Sequence, residues 1–239
     1  MCAASSSRGP VLHVVTCGDG ARARWGPSLA SPAEPADPPV RHLPALPARA
    51  DLDPLLDELP DDARLVVAGD DAALAAVLVR LLRRERLAVA VALLPAPGST
   101  AAAVWGLPTD PAAAVALARA GAARPAPLVR DDHGGVVAGR HEVGPFHGAV
   151  YCDEHLLTRG DAAGLVVTPD PDGGVVVTLT GPRRLGGLRA GRVTTRSGRA
   201  AQIGCRPGVP VTRDGVPGER PEARRSWYRH TQDWHLVRP

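Results

Sequence analysis

The feature that most constrains this chain is a strand–helix–strand pattern over residues 65–94, with a tight loop after each strand. Leu65, Val66 and Val67 form a short apolar run closed by Gly69, the pattern of a strand buried on both faces of a parallel sheet. Leu74, Val77, Leu78, Leu81 and Leu82 then recur at three- and four-residue spacing, while Arg80, Arg83, Arg84 and Glu85 mark a solvated face. A second apolar run over residues 87–94 completes a βαβ unit, and a further helix leads through Trp105 to Gly106. Open α/β sheets place their ligands at the carboxyl ends of the strands. The loops to watch are therefore 68–72 and 95–101.

The first loop reads Ala68-Gly69-Asp70-Asp71-Ala72. The second reads Pro95-Ala96-Pro97-Gly98-Ser99-Thr100-Ala101, followed by Ala103-Val104-Trp105-Gly106. In order and spacing they resemble the G-G-D-G-T and P-L-G-T-G-N-D-F-A-R-x-L-G motifs of diacylglycerol kinases and related lipid kinases, a family that shares a superfamily with the NAD kinases. Gly106-Leu107-Pro108-Thr109-Asp110-Pro111 continues the resemblance, and Arg124-Pro125-Ala126-Pro127-Leu128 stands where that family leaves its first domain. Near the end, Asp214-Gly215-Val216 resembles the family's Asp-Gly-Glu segment with valine in place of the glutamate.

The resemblance implies an α/β protein with two domains. Residues 1–127 would form a Rossmann-like, nucleotide-binding-like α/β domain with a parallel sheet, and residues 128–239 a β-sandwich, with the last strand packing back on the first domain. It also implies a nucleotide held by Gly69, Asp70, Asp71, Pro97, Gly98, Ser99 and Thr100, with ATP and Mg2+ as cofactors of an active enzyme. Asp214 would sit near the attacking hydroxyl of a lipid or other apolar small molecule.

The departures from the family pattern have physical meaning. Glycines in a phosphate cradle permit positive φ and let backbone N–H groups approach an anion. Asp71 instead brings a carboxylate to a glycine position, and Ala72 removes a hydroxyl. A carboxylate near a triphosphate is repulsive unless a cation intervenes. Val216 removes a carboxylate available for base or metal work, and Glu219 lies three residues on, where a turn at Val216-Pro217-Gly218 could bring it back.

Composition narrows the chemistry further. The chain contains neither Lys nor Asn, as strong coding bias would produce, which excludes Schiff-base lysine chemistry, a P-loop lysine and N-linked glycosylation. Its formal net charge of +3 is spread out, with local concentrations at Arg183, Arg184, Arg189 and Arg192 and over residues 220–229 that suit peripheral contact with anionic lipid or phosphate. Cys2, Cys17, Cys152 and Cys205 show no CxxC spacing. Without a secretory signal or a long apolar segment, reduced thiols in a soluble cytoplasmic protein are expected.

Taken in order, residues 1–10 read as a frayed lead and Val11 to Val15 as the first strand. Gly18-Asp19-Gly20 then reads as a turn, and residues 28–47 as a proline-rich loop with one short strand at 40–43. Residues 51–59 suggest a helix capped by Asp51, and Thr109-Asp110-Pro111 opens another that Gly121 ends. Beyond Pro127 the pattern alternates, with strand candidates at 128–130, 135–138, 149–151, 164–168, 175–180, 192–195, 200–203 and 235–237. Asp172-Gly173-Gly174 and Arg213-Asp214-Gly215 are turn signals among them, and strands so spaced suggest a sandwich.

Two other clusters invite function. His141, His147, Cys152, Asp153 and His155 carry zinc-type donors without a standard spacing, and ordinary surface or turn histidines are the expectation. Trp227, Tyr228, His230 and Trp234 beside Arg224, Arg225 and Arg229 could stack a base, but read better as core under the last strand. No nucleic-acid-binding pattern accompanies them. Two functions are left: an ATP-dependent lipid phosphotransferase, and a relative with lost or much reduced transfer that uses its cleft for binding or regulation. The weakened loops and Val216 favour the second.

Overall fold

The computed structural model describes residues 10–29, 40–60, 62–182 and 191–239. Residues 1–9 of the expected lead with Cys2, residues 30–39 of the proline-rich loop, and the basic group Arg183, Arg184 and Arg189 lie outside the described residues.

Three short apolar runs become β1 (Leu12–Cys17), β3 (Arg64–Gly69) and β4 (Ala90–Pro95) of one sheet, and the half-polar Val-Arg-His-Leu becomes its edge strand β2 (Val40–Leu43). The last strand, β16 (Trp234–Val237), inserts between β4 and β5 (Ala123–Ala126), so the order is β2-β1-β3-β4-β16-β5. All neighbours are parallel except β16 and β5. β3 is buried along its whole length, as its unbroken apolar run requires.

Helices cover both faces of this sheet. Val15, Val67 and Leu93 point to a core shared with α2 (Arg49–Glu58), α3 (Asp71–Arg83) and α4 (Thr100–Trp105), where Trp105 meets Trp234 edge-on at 6.0 Å. Val14, Val66 and Leu94 point the other way, onto α1 (Asp19–Leu29) and α5 (Pro111–Ala120). Arg64 ties β3 to α5, donating to the carbonyls of Ala118, Arg119 and Gly121 at 2.7–2.9 Å. A cation at a helix carboxyl end also meets the negative end of its dipole.

The remaining strands form two antiparallel sheets packed as a sandwich. One runs β12 (Val193–Gly198), β11 (Gly174–Thr180), β10 (Gly164–Asp170), β7 (His141–Val143), β14 (Val211–Arg213). The other runs β6 (Val129–Asp131), β15 (Glu222–Arg229), β13 (Ala200–Val209), β8 (Phe146–Cys152), β9 (His155–Ala162). Val150, Ile203 and Trp227 from the second sheet meet Leu165, Val175 and Val177 from the first.

The structure corrects several sequence expectations. Asp19 and Gly20 do not end a turn but open α1, whose Gly20, Gly26 and Pro27 conceal it from a periodicity reading. The cap of α2 is Ala48; Asp51 sits one turn inside and accepts from the Ala48 N–H at 2.8 Å. Residues 135–138 contribute only an isolated bridge, Arg130 to Val136. Trp227 lies in the sandwich core, and Trp234, on the last strand itself, joins the core of the parallel sheet. No described helix is long and apolar enough to cross a membrane.

Candidate functional site

The carboxyl ends of β1, β3 and β4 open onto a cavity of about 700 Å3. This is where a parallel sheet presents its ligands. Cys17, Gly18, Asp19 and Trp25 form one wall, and Asp70 and Pro97 the other. Gly18 has φ of 83°, and a Cβ there would stand 2.9 Å from that of Ala45, so the turn needs glycine. The two loops are stitched together by the Ala96 N–H, which donates to the Gly69 carbonyl at 2.9 Å.

The two aspartates after β3 have different tasks. Asp70 caps α3, accepting from the Ala73 N–H at 2.9 Å. Asp71 reaches across to the second loop, where its carboxylate accepts from the Ser99 hydroxyl and from the N–H groups of Thr100 and Ala101, the last two at 2.8 and 3.2 Å. These amides face an anion wherever such a loop binds phosphate. Gly139 seals the carboxylate from above: a Cβ there would fall 2.2 Å from Asp71 Oδ2. Burial raises the Asp71 carboxyl above the ordinary range, the bonds from Ser99, Ala101 and Thr100 oppose that rise, and the nearby charge of Asp214 adds to it.

The structure therefore brings Asp71 and Asp214 to opposite sides of one segment. Asp214 is buried and adopts φ of 48° in the tight turn that Gly215, at φ of 88°, completes. Its carboxylate accepts from the backbone N–H groups of Ala138, Gly139 and Arg140 at 3.2, 2.7 and 2.9 Å. Behind it, buried His141 accepts the indole N–H of Trp227 on Nδ1 at 2.9 Å. The ring proton is thereby left on Nε2, which has no hydrogen-bond partner among the described residues and lies 3.6 Å from Asp214 Oδ2. Val216 is exposed, as is Glu219, which makes no hydrogen bond or ion pair among the described residues.

In the second loop Gly98 takes φ of 76°, and Ser99 caps α4 by accepting from the Ala102 N–H at 3.0 Å. Pro97 lines the cavity, while Thr100 contributes its backbone N–H to Asp71. Burial, then the charge of Asp70, pushes the Cys17 thiol up to about 12, so it stays protonated beside the cavity. The described histidines scatter: His141 is buried, His147 pairs with Asp161 at 2.8 Å, and His155 lies near Glu154. Among the described residues no group of His, Cys, Asp and Glu is arranged to hold a metal ion.

No family model and no curated protein matches this chain. Solved structures do. A diacylglycerol kinase from Bacillus anthracis superposes with a TM-score of 0.70 at 14% identity, over 98% of each chain. A candidate diacylglycerol kinase from the same organism gives 0.72 at 13% identity, over 98% of this chain and 99% of its own. The chain has the diacylglycerol kinase fold. An NAD kinase from Archaeoglobus fulgidus, solved with ATP, is looser: a TM-score of 0.49 at 10% identity, over 95% of this chain and 93% of its own.

Within this lipid-kinase fold, sequence reasoning missed the wall made by Gly18, Asp19, Gly20 and Trp25. The signal that would have found it is positional: the triplet directly follows the first parallel strand. It also missed Gly139 and named His141 only as a zinc-type donor, because the roles of both depend on segments far apart in the chain.

Proposed function

We propose that this protein is a lipid-kinase-fold binding protein with lost or much reduced phosphotransfer, whose cleft takes an apolar small molecule. The observation that carries the reading is the Asp71 carboxylate, which occupies the Ser99, Thr100 and Ala101 donors as an internal anion. Mg·ATP, which the resemblance implies, does not fit these residues. A triphosphate would have to displace Asp71 or sit beside its negative charge. Ala72 offers no hydroxyl, and Arg24 is the sole cationic side chain among the described residues lining the cavity. Asp214 is buried and bound to three backbone amides, which leaves it poorly placed to receive a proton from a substrate hydroxyl, and Asp70 spends one oxygen on the cap of α3. The rest of the lining, with Cys17, Ala21, Trp25, Ala45, Ala96 and Pro97, suits apolar surface.

The test is thermal melting of the wild type and of Asp71→Gly, with and without millimolar Mg·ATP, alongside ADP and NAD. A ligand that binds only the folded state raises its melting temperature by mass action. The expected result is no shift for the wild type and a magnesium-dependent shift for Asp71→Gly. Magnesium-dependent transfer of phosphate to a lipid alcohol by the wild type would overturn the proposal.

A further inference from the structure

The outward face of the sheet β6-β15-β13-β8-β9 carries another cavity, of about 380 Å3. Strand alternation decides what lines it. Val150, Ile203 and Arg225 are buried toward the sandwich, so Ala149, Gly204 and Arg224, one residue out of phase, share the outer face. Arg159, Ala149, Gly204 and Arg224 stand directly opposite one another across four adjacent strands. Three strand spacings put the two arginine backbones roughly 14 Å apart, a span that two arginine side chains bridge over the small residues between them. Arg206, on the strand of Gly204 and exposed on the same face, is a third.

None of these arginines has a carboxylate partner among the described residues; Arg159 donates to the Tyr151 hydroxyl at 3.2 Å. The acid on this face, Asp161, is paired with His147 at 2.8 Å. The floor beneath them is bare. A Cβ at Gly204 would meet nothing within 4 Å. Guanidinium forks around a concave floor complement the tetrahedral oxygens of a phosphate.

We propose that this groove is a binding site for a phosphate-type dianion, held by Arg159, Arg206 and Arg224 over Gly204. Two sources carry that chemistry: a soluble phosphate or phosphomonoester, and a phosphate headgroup at a lipid surface. The site lies in the sandwich and does not depend on the reading of the cleft.

The experiment uses the full chain. Calorimetric titration with inorganic phosphate and with glycerol phosphate, against chloride at equal ionic strength, tests the soluble source. Flotation with phosphatidylcholine vesicles containing phosphatidic acid, against pure phosphatidylcholine, tests the headgroup. Binding in the first arm assigns a soluble ligand, and binding in the second alone assigns the headgroup. Binding in neither overturns the proposal. Arg159→Gln and Arg224→Gln are each expected to weaken binding about tenfold, the worth of one charge-assisted hydrogen bond. Gly204→Val keeps every charge, suits a strand and fills the floor; it is expected to abolish binding. Unchanged affinity in Gly204→Val, or in the variant lacking all three arginines, overturns the site. These variants leave the Mg·ATP response of Asp71→Gly unchanged, so failure here and failure of the cleft reading are told apart.

Discussion

The turns after β1 and β3 share a dipeptide and part ways. Each parallel strand ends in Gly-Asp and passes straight into a helix. After β1, Asp19 is 93% exposed and only pairs with Arg22, and Gly20 follows it into α1. After β3, Asp70 caps α3, and Asp71 then crosses to α4 and is buried. Equivalent places at one sheet edge thus hold an open wall and a locked one. The helices behind them differ in the same sense: α1 is anchored by Trp25 and Leu29, whereas seven residues of α3 are buried. The helix that lines the cleft is the more weakly held, as ligand-binding elements drawn from the low-stability end are.

The largest effect expected is that of Trp25→Ala. Truncating a fully buried tryptophan costs about 3–5 kcal/mol, measured by urea unfolding, with amide exchange in α1 accelerating ahead of α3. If α1 stays as protected as α3 in the wild type, the contrast between the helices fails.

Asp71→Ala comes next. It leaves buried donors in the second loop unpaired, at a cost of about 1–3 kcal/mol. The pH dependence sharpens this. The Asp71 carboxyl is raised above 3.8 in the folded state, chiefly by burial, so the folded chain holds its proton longer than the unfolded one. Its contribution to stability therefore declines as pH rises from 3.8 through the raised value. Asp71→Asn is expected to flatten that stretch of the stability profile.

Asp70→Ala removes a helix cap, worth about 1 kcal/mol. Asp19→Ala, at the equivalent place after β1, is expected to leave the urea midpoint unchanged, since its exposed pair contributes little. Equal effects at the two positions would erase the distinction between the turns. Cys17 gives a signal confined to alkaline pH. Its thiol moves from 9.0 to about 12, so stability falls as pH rises through that window, and Cys17→Ala removes this component from alkaline unfolding curves.

The parts of the fold legible in the sequence are those whose signals are local. The repeat of Leu74, Val77, Leu78 and Leu81 marks α3, and Asp110-Pro111 marks the start of α5, where Asp110 accepts from the Ala113 N–H at 2.9 Å. α1 escaped because two glycines and a proline dilute its pattern and one tryptophan supplies its main anchor. β7 and β14 escaped because they are only three residues long, and β9 and β15 because their exposed or arginine-rich sequences carry little apolar alternation. Of the site, Gly69, Asp70 and Asp71 were legible as a loop after a strand, but the direction of Asp71 was not. Its partners come 28 to 30 residues later and are reached only when the second loop folds beside the first.

By itself the sequence determined the βαβ unit, the Asp110-Pro111 start of α5, the Asp-Gly turn at Asp214 and the alternation of sandwich strands such as β10 and β11. All of these are set by steric and apolar preferences within a few residues. The tertiary structure alone decided that β16 lies between β4 and β5, that Asp71 fills a cradle made by another loop, and that Asp214 binds the segment 138–140 whose Gly139 packs against Asp71. It also decided that Arg159, Arg206 and Arg224 share one groove. Buried carboxylates and unpaired arginines acquire their meaning from the donors, acceptors and charges that packing brings to them, and those neighbours are not neighbours in the chain.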